Sequence, residues 1–222
     1  MRLRAGRNRC AVPPNWDLRA RAYDALEASD LRRGPSKARL FSRIRGRTLF
    51  LGIGTGIDIR HFPPGADVTG IDLSQEMIRR AKQRCAAYPG SLKLLRMDAM
   101  HLGFRDDCFD TVVTSCTLCS VSNPAHVLAE LYRVLRPGGI FLFLEHVMST
   151  DPLLGLALNW MTLSTRRSGT AMNRDTLSAV KAVGFEIENI ESVFLDIILS
   201  ARTLKPGSAI PGGRSDASPQ ND

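Results

Sequence analysis

The stretch Thr48–Gly56, reading TLFLGIGTG, decides the fold of this chain. Its apolar run ends at three glycines spaced one residue apart, Gly52, Gly54 and Gly56, and a short helix-like segment, Ile57–His61, follows. A strand that turns through alternating glycines into a helix lets a ligand lie against bare backbone, because a Cβ would collide with the ligand or forbid the turn. The helix start behind the loop offers unpaired backbone N–H groups to an anionic group.

A second strand with an acidic end adds to this pattern. The segment Asp67–Leu73 reads DVTGIDL, and Asp72 stands twenty residues after Gly52. An acidic residue at this strand end accepts hydrogen bonds from the two ribose hydroxyls of a nucleoside. Ile57 stands three residues after Gly54, where the dinucleotide fingerprint requires glycine. The pattern therefore predicts a nucleoside cofactor that is not a dinucleotide, bound by an open α/β sheet.

These motifs have a family resemblance. LGIGTG followed by GIDLS resembles the first two motifs of class I S-adenosylmethionine-dependent methyltransferases of type 11. Three further stretches match in register, namely Leu94–Met100, Phe109–Val121 and Leu131–Val147, and the last of them contains the sequence LRPGG. The resemblance covers residues 46–148. It implies S-adenosylmethionine as cofactor and a Rossmann-like mixed sheet of seven strands, in the order 3-2-1-4-5-7-6, with helices on both faces.

The domain organisation follows from alternating strand and helix patterns. We expect a disordered basic N-terminus over 1–14, one methyltransferase domain over 15–205 and a disordered tail over 206–222. Within the domain we expect cap helices (15–45), a cofactor-binding core (46–148), a substrate lid (149–172), and a last helix with a hairpin (173–205). The hairpin is predicted to turn near Glu191-Ser192. Core strands are predicted over 48–52, 67–71, 92–96, 110–115 and 140–146, and helices over 74–87 and 124–135.

The resemblance also implies a set of cofactor-binding residues. In the family the glycine loop approaches the methionine portion, the acid of the second strand holds the ribose, and Asp98-Ala99 matches the pair that contacts the adenine edge. Tyr23-Asp24 resembles the Tyr-Asp pair of an N-terminal helix that covers the cofactor. The expected cofactor-binding residues are Gly52, Gly54, Thr55, Gly56, Asp72, Leu73, Asp98, Ala99, Ser115 and Tyr23.

One position departs from the family pattern. The family usually carries Asp or Glu two residues before the first glycine, where it organises the methionine end of the cofactor. Phe50 occupies that position here. It is the one feature that supports an alternative hypothesis, a catalytically silent cofactor-binding module.

Two residues at the end of the fifth strand are the predicted catalytic pair. Methyl transfer from a sulfonium needs an aligned nucleophile, and a general base only when that nucleophile arrives protonated. His146 is the candidate base because its ordinary pKa is near neutral. Glu145 is expected to orient His146 or to bind a cationic substrate group. A structural alternative for His146 is a strand-end histidine that only hydrogen-bonds backbone.

The methyl acceptor is predicted to be small and apolar or lipid-like. The apolar segment Leu153–Leu163 lies where the family builds its substrate lid, and the chain also resembles thiol, phospholipid N- and quinone C-methyltransferases. Thiol S-methylation is the alternative reaction. An RNA or protein methyltransferase is disfavoured, because Ser115-Cys116-Thr117-Leu118 stands where those enzymes carry Asn-Pro-Pro-Tyr.

The amino-acid composition limits which binding partners and which cellular compartment are expected. The net charge of +8 over 222 residues suits an anionic partner such as a membrane surface, whereas the aromatic content of 6% disfavours a nucleic-acid stacking platform. No apolar run approaches the length of a membrane span. The five cysteines are scattered, and Cys116-x-x-Cys119 lacks a second ligand pair, so we expect pocket or core thiols and no metal site. We expect a cytoplasmic protein with peripheral membrane contact as an option.

Overall fold

A computed structural model describes residues 16, 17, 20, 24, 33–166 and 170–207. Its helices are α1 (Arg33–Phe41), a 3-10 helix (Ile57–His61), α2 (Gln75–Cys85), α3 (Pro124–Val134), α4 (Pro152–Arg166) and α5 (Thr176–Val183). Its strands are β1 (Arg47–Leu51), β2 (Asp67–Asp72), β3 (Ser91–Arg96), β4 (Phe109–Ser115), β5 (Leu135–His146), β6 (Glu186–Phe194) and β7 (Ile198–Leu204).

All seven strands form one mixed sheet in the order β3-β2-β1-β4-β5-β7-β6. The strands from β3 to β5 are parallel, and β7 pairs antiparallel with both β5 and β6. The predicted fold class and strand order are therefore confirmed. The chain winds outward from β1 to β3 and then returns to β4, so the strand order reverses between β1 and β4. Ligands of open α/β sheets bind at such a reversal, beyond the carboxyl ends of the strands.

The sheet has an apolar layer on each face. Phe50, Leu142 and Leu144 pack on the face covered by α1, the 3-10 helix, α2 and α4. Phe141 and Phe143 pack on the other face, which α3 and α5 cover. Successive side chains of a strand point to opposite faces, so β5 supplies both layers at once. This explains why its central residues read as an unbroken apolar run.

The predicted helix starts carry side-chain caps. The Ser74 hydroxyl accepts a hydrogen bond from the backbone N–H of Met77, and Asn123 accepts one from His126. Such caps satisfy backbone donors that have no partner within the helix. The Ser74 cap begins α2 directly beside Asp72, so a local signal of helix formation also orders one edge of the predicted cofactor site.

Two predicted boundaries are wrong. β6 continues past Glu191-Ser192 to Phe194, and the chain turns at Leu195, whose φ of 48° is left-handed. Helix α3 ends at Val134, and β5 begins at once at Leu135, five residues earlier than predicted. Leu135 already pairs with β4, and a register shift separates it from the main run of pairs. The LRPGG segment is therefore an irregular start of β5 and not a loop.

Several expectations fall on residues that the structure does not describe. Of the predicted cap helices (15–45) the structure describes residues 16, 17, 20, 24 and 33–45, and the disordered ends predicted over 1–14 and 206–222 lie outside the described residues except for 206 and 207. The interior boundaries of the predicted domain remain predictions. Among the described residues, no helix combines the length and apolar character that crossing a membrane requires.

Candidate cofactor and acceptor site

The glycine loop between β1 and the 3-10 helix has a conformation that only glycine adopts easily. Gly52, Gly54 and Gly56 have φ values of 69°, 58° and 78°, all left-handed. A Cβ at Gly52 would collide with the side chain of Thr117, and one at Gly56 would lie 3.0 Å from the Cα of Ala81 in α2. The loop is therefore held close to α2 and to the segment after β4. Gly52 and Gly54 are half-buried and lie at the carboxyl end of β1, where the strand order reverses.

Asp72 joins this loop to the end of β2. Its Oδ2 accepts a hydrogen bond from the Gly54 backbone N–H at 2.9 Å, and its Oδ1 accepts one from Ser74 N–H at 2.9 Å. Burial raises the pKa of the carboxyl, and the backbone hydrogen bonds partly oppose that rise. A carboxylate has about four acceptor positions, so two remain for ribose hydroxyls. The glycine cradle and this carboxylate together fit a nucleoside cofactor.

Two aspartates near the N-terminus, Asp17 and Asp24, contact the residues that border this loop. Asp24 is hydrogen-bonded to the Thr55 hydroxyl and receives the Arg84 guanidinium at 2.7 Å, and Arg84 also donates to the Thr55 carbonyl at 2.7 Å. Asp17 is hydrogen-bonded to the Ser74 hydroxyl. These contacts place described parts of the predicted cap next to the loop. Predicted Tyr23 lies outside the described residues.

Sequence reasoning had not assigned Asp17 or Arg84 to the site, and it had named Asp24 only as the neighbour of Tyr23. The sequence pattern places Arg84 on the charged side of a helix, where an arginine is expected to be exposed to solvent. It therefore gave no signal of a role at the site. Only the Tyr-Asp pair was a usable signal, because it drew attention to this part of the N-terminus.

The predicted adenine side lies just after β3. The Asp98 Oδ1 accepts a hydrogen bond from the Met100 backbone N–H at 2.9 Å, which holds the turn that contains half-buried Ala99. The carbonyl of Leu73 accepts a hydrogen bond from the Arg96 side chain at 3.1 Å. Both segments end at the same edge of the sheet as the glycine loop. Their contact with adenine stays a prediction.

Glu145 is buried completely and holds the loop after β4. Its Oε1 accepts hydrogen bonds from the backbone N–H groups of Thr117 at 2.9 Å and Leu118 at 3.1 Å. Burial raises the pKa of this carboxyl to about 7, against the opposing effect of the hydrogen bonds. Thr117 is also the side chain that touches Gly52. Glu145 therefore sets the position of a segment that packs on the cofactor loop.

Glu145 does not orient His146, contrary to the expectation from the sequence. The alternation of β5 sends Glu145 to the face covered by α3 and α5 and His146 to the opposite face. His146 is half-buried at the carboxyl end of β5, opposite Ile198 of β7. It lies on the face that α1 and α4 cover, and its role as base stays a prediction.

The residues at the end of β4 line the site between these groups. The hydroxyl of predicted Ser115 is buried, with no hydrogen-bond partner among the described residues. Cys116 follows with a left-handed φ of 51°, and the Arg33 guanidinium of α1 donates to its sulfur at 3.2 Å. A positive φ at a residue other than glycine is strained and is found preferentially at functional sites. Helix α1 thus reaches the end of β4.

Both cysteines of the CxxC stretch are free thiols. Cys119 is buried, and burial raises the pKa of its thiol. Across the described ranges, no group of three or more His, Cys, Asp or Glu side chains has the arrangement of a metal site. Cys119 therefore packs as a core thiol, and half-buried Cys116 lies just after β4, next to Arg33.

Comparison with known proteins agrees with this geometry. The family described as "Methyltransferase domain" matches residues 49–143. Thiol S-methyltransferase TMT1B of Rattus norvegicus is 30% identical, over 78% of this chain and 74% of that protein. Phosphatidylethanolamine N-methyltransferase of Cereibacter sphaeroides is 38% identical over 46% of this chain. The matched region spans about half of that enzyme, 51% of its length.

Solved structures share the fold. An S-adenosylmethionine-dependent methyltransferase from Mesorhizobium loti has a TM-score of 0.58 and 23% identity, covering 79% of this chain and 98% of that chain. The [4+2]-cyclase SpnF has a TM-score of 0.59 and 21% identity, covering 78% and 79%. The fold alone therefore does not specify the reaction. The motifs, the glycine cradle and the similarity to a thiol S-methyltransferase over 78% of this chain identify the family: this chain belongs to the S-adenosylmethionine-dependent methyltransferases, and its cofactor is S-adenosylmethionine.

Proposed function

We propose that this chain transfers the methyl group of S-adenosylmethionine to a small apolar or lipid-like acceptor. The observation that carries the proposal is an apolar stripe on α4, the helix that follows the carboxyl end of β5. The relatives whose names specify an acceptor support the same class, since these names include a thiol, phosphatidylethanolamine and demethylmenaquinone. The fold and the family identify the cofactor, whereas the apolar stripe is the evidence for the class of acceptor.

The apolar stripe, defined as Leu153, Leu156, Trp160 and Leu163, repeats at helical spacing and is open to solvent. Leu153 is 81% exposed and Trp160 is 69% exposed. The opposite side of the same helix, with Leu158 and Thr162, is buried against the protein. Soluble proteins seldom leave several large apolar side chains side by side on one helix without a partner for them. An apolar acceptor, or the lipid phase that carries it, is such a partner.

Helix α4 is anchored next to the segment after β4. Asp151 accepts hydrogen bonds from the backbone N–H groups of Leu153 and Leu154 at its start. Beyond its end, the Ala171 backbone N–H donates to the Cys119 carbonyl at 2.8 Å. The segment that follows α4 is therefore tied at Ala171 to the loop that Glu145 holds. In the proposal, an acceptor held by α4 lies near the carboxyl ends of β4 and β5.

The residues near the site suit a methyl transfer that depends more on positioning the acceptor atom than on acid–base catalysis. The acceptor atom attacks the methyl carbon in line with the sulfonium sulfur, the new bond forms as the carbon–sulfur bond breaks, and the sulfur keeps that electron pair. In the proposal His146 takes the proton of an acceptor that arrives protonated, such as a thiol of ordinary pKa about 8.5. Glu145 acts as a positioning residue through Thr117 and Leu118.

The test is methyl transfer from labelled S-adenosylmethionine with a matched set of acceptors. A long-chain alkyl thiol, phosphatidylethanolamine vesicles and a demethylated quinone are compared with a short water-soluble thiol and a water-soluble amine. We expect label in the organic extract with at least one of the three apolar acceptors. Label with the water-soluble acceptors alone would contradict the apolar assignment. Label with none of them, together with intact cofactor binding, would favour the silent module.

Thiol S-methylation is the second candidate. The thiol S-methyltransferase relatives match more of this chain than the phosphatidylethanolamine enzyme does, 78% against 46% in the examples above. The acceptor set separates the two directly. For a thiol acceptor we also expect the rate to rise with pH toward the thiol pKa, and His146→Ala to lower the rate most at neutral pH, where the thiolate fraction is small.

Peripheral contact with an anionic membrane surface belongs to the same proposal. The net charge of +8 favours an anionic surface, and the apolar stripe provides side chains that can enter the lipid interface. Apolar acceptors reside in that phase, so contact with it would also raise their local concentration at the site.

A further inference from the structure

The turn between β6 and β7 carries an exposed leucine. Leu195 is 59% exposed and has a left-handed φ of 48°. That region of φ is costly for a residue with a Cβ, and glycine or asparagine is the usual occupant of such a turn position. An exposed apolar side chain also gains nothing from burial. A residue that is unfavourable in both respects indicates a role beyond the stability of the fold.

Hydrogen bonds fix this turn against the segment that follows β5. The Asp196 carboxylate accepts hydrogen bonds from the Ser149 hydroxyl at 2.8 Å and from the Thr150 backbone N–H at 2.7 Å. The Val147 backbone N–H donates to the Ile197 carbonyl at 2.9 Å. The turn therefore stands at the carboxyl end of β5, directly before α4 begins.

Two further exposed apolar side chains lie beside these contacts. Met148 is 51% exposed, and Leu153, in the first turn of α4, is 81% exposed. We call Met148, Leu153 and Leu195 the apolar rim, which continues the apolar stripe of α4 onto the β6–β7 turn. Outside α4 and the rim, only Leu95 and Ile190 are exposed large apolar residues in the part of the chain that the structure describes. Such a concentration of apolar area at one place is typical of an interaction surface.

The shape of the apolar rim fits a lipid surface better than a small molecule. Small-molecule sites are concave and cover most of their ligand. The rim consists of a hairpin turn, a helix start and the residue that precedes their contacts, and each of its three side chains is more than half exposed. Apolar side chains presented in this way can enter the interfacial region of a bilayer, where their burial supplies binding energy.

Charge at the same edge of the sheet agrees with a lipid partner. Asp17 is hydrogen-bonded to the Ser74 hydroxyl just after β2, and β2 and β5 end at the same edge because they belong to the parallel part of the sheet. Residues 1–16 contain no acidic residue and four arginines, at positions 2, 4, 7 and 9. The sequence directly before Asp17 is therefore basic. Anionic headgroups attract basic segments, and an apolar contact combined with a basic one binds membranes more firmly than either alone.

We propose that the apolar rim enters the interface of an anionic lipid bilayer and orients the carboxyl edge of the sheet toward it. This inference rests on the proposed function, because an apolar acceptor would then pass from the bilayer to the site without crossing water. It adds the β6–β7 turn and the segment after β5 to the contact surface, so binding does not depend on α4 alone. It also gives Leu195 a role that its backbone conformation and exposure leave open.

The test is flotation of the full chain with vesicles of phosphatidylcholine and phosphatidylglycerol. Leu195→Asn removes the apolar side chain and suits the left-handed backbone, so thermal unfolding should show a fold at least as stable as wild type. Its vesicle affinity should fall about 10-fold, since the burial of a leucine side chain is lost. Leu195→Met keeps an apolar side chain and should bind like wild type. The matched control Ile190→Asn, in the middle of β6, should also bind like wild type.

Three results would overturn the lipid contact. One is wild-type vesicle affinity in Leu195→Asn, and another is an equal loss in Ile190→Asn. The third is a change in self-association of Leu195→Asn on sedimentation with vesicle binding unchanged, which would assign the rim to a second copy of this chain. A wild-type chain that failed to float with these vesicles would have the same consequence as the first result.

Methyl transfer separates this inference from the proposed function. On an apolar acceptor dispersed in detergent, Leu195→Asn should keep the wild-type rate, and on the same acceptor in vesicles its rate should fall together with its binding. If the wild-type chain methylated no apolar acceptor but floated in a way that depends on Leu195, the proposed function would fail and the lipid contact would stand. Methylation of dispersed acceptors without such flotation would give the opposite outcome.

Discussion

At the scale of single residues, Asp72 is the sharpest prediction. Its carboxylate already accepts the Gly54 and Ser74 backbone N–H groups, and it has acceptor positions left for two ribose hydroxyls. Asp72→Ala should weaken S-adenosylmethionine binding by roughly 1.5–3 kcal/mol, because hydrogen bonds to a charged acceptor are lost. Equilibrium binding by calorimetry measures the change.

The control for Asp72 is on the same strand. Asp67 is exposed at the opposite end of β2, so Asp67→Ala removes an acid from the strand without touching the site. The Asp67→Ala variant should bind the cofactor with the affinity of wild type. Unchanged affinity in Asp72→Ala, or equal losses in the two variants, would remove Asp72 from the ribose site.

Glu145 carries a prediction on pH and stability. Its pKa in the folded chain is about 7, above the ordinary value of 4.5 for glutamate. The folded state therefore holds a proton that the unfolded state releases, so Glu145 contributes stability below pH 4.5 that is lost as pH rises toward 7. Glu145→Gln keeps the oxygen that accepts from Thr117 and Leu118 and removes the titration. The free energy of unfolding of wild type minus variant should fall over this window by about 1.4 kcal/mol per pH unit at most.

Chemical denaturation at pH 5, 6, 7 and 8 measures this difference, and Glu145→Ala is the companion variant. The alanine leaves the two buried backbone N–H groups without an acceptor, so it should destabilise the fold at every pH by about 1–3 kcal/mol. A difference between wild type and Glu145→Gln that stays constant from pH 5 to 8 would contradict the raised pKa.

At the scale of elements, helix α4 decides the interfacial part of the proposal. Leu156→Gln/Trp160→Gln removes apolar area from the exposed stripe and leaves the buried side of the helix unchanged. We expect this variant to lose most of its binding to vesicles rich in anionic lipid, because each large apolar side chain contributes about 1.5–3 kcal/mol when it is fully buried. Vesicle flotation measures the bound fraction.

A matched control exists on another element. Ile190 is an exposed apolar residue of β6, the edge strand. Ile190→Gln should leave vesicle binding as it is in wild type. Flotation of the α4 variant at the wild-type level would mean that the stripe does not contact lipid, and activity on a dispersed apolar acceptor would then show whether it contacts the substrate instead.

At the scale of the whole molecule, the cofactor site connects distant parts of the chain. Residues 17 and 24 near the N-terminus, the glycine loop, α2 and the segment after β4 all meet at the reversal of strand order. S-adenosylhomocysteine at 100 times its dissociation constant should stabilise the chain by about 2.7 kcal/mol through binding to the folded state alone. Hydrogen exchange should show the added protection around Gly54 and Ser74, and the β6–β7 hairpin should lie outside the protected region.

Much of this arrangement was predictable from the sequence. Strand order followed from a family resemblance carried by motifs with strict local requirements, such as three left-handed glycines and the Ser74 cap beside Asp72. The misplaced boundaries, at LRPGG and at Leu195, lie where pairing with a neighbouring strand overrides local turn signals. A turn signal is read from neighbours in sequence, whereas strand pairing depends on residues far along the chain.

The sequence by itself determined the fold class, the nucleoside-type cofactor and the residues of the glycine loop, since each depends on residues close together in the chain. Only the tertiary structure decided which charges meet. It joined Asp24 to Arg84 and Lys37 to Asp58, and it separated Glu145 from its neighbour His146. The reason is physical: ion pairs and buried carboxylates are defined by contacts between segments remote in sequence. No periodicity within one segment encodes those contacts.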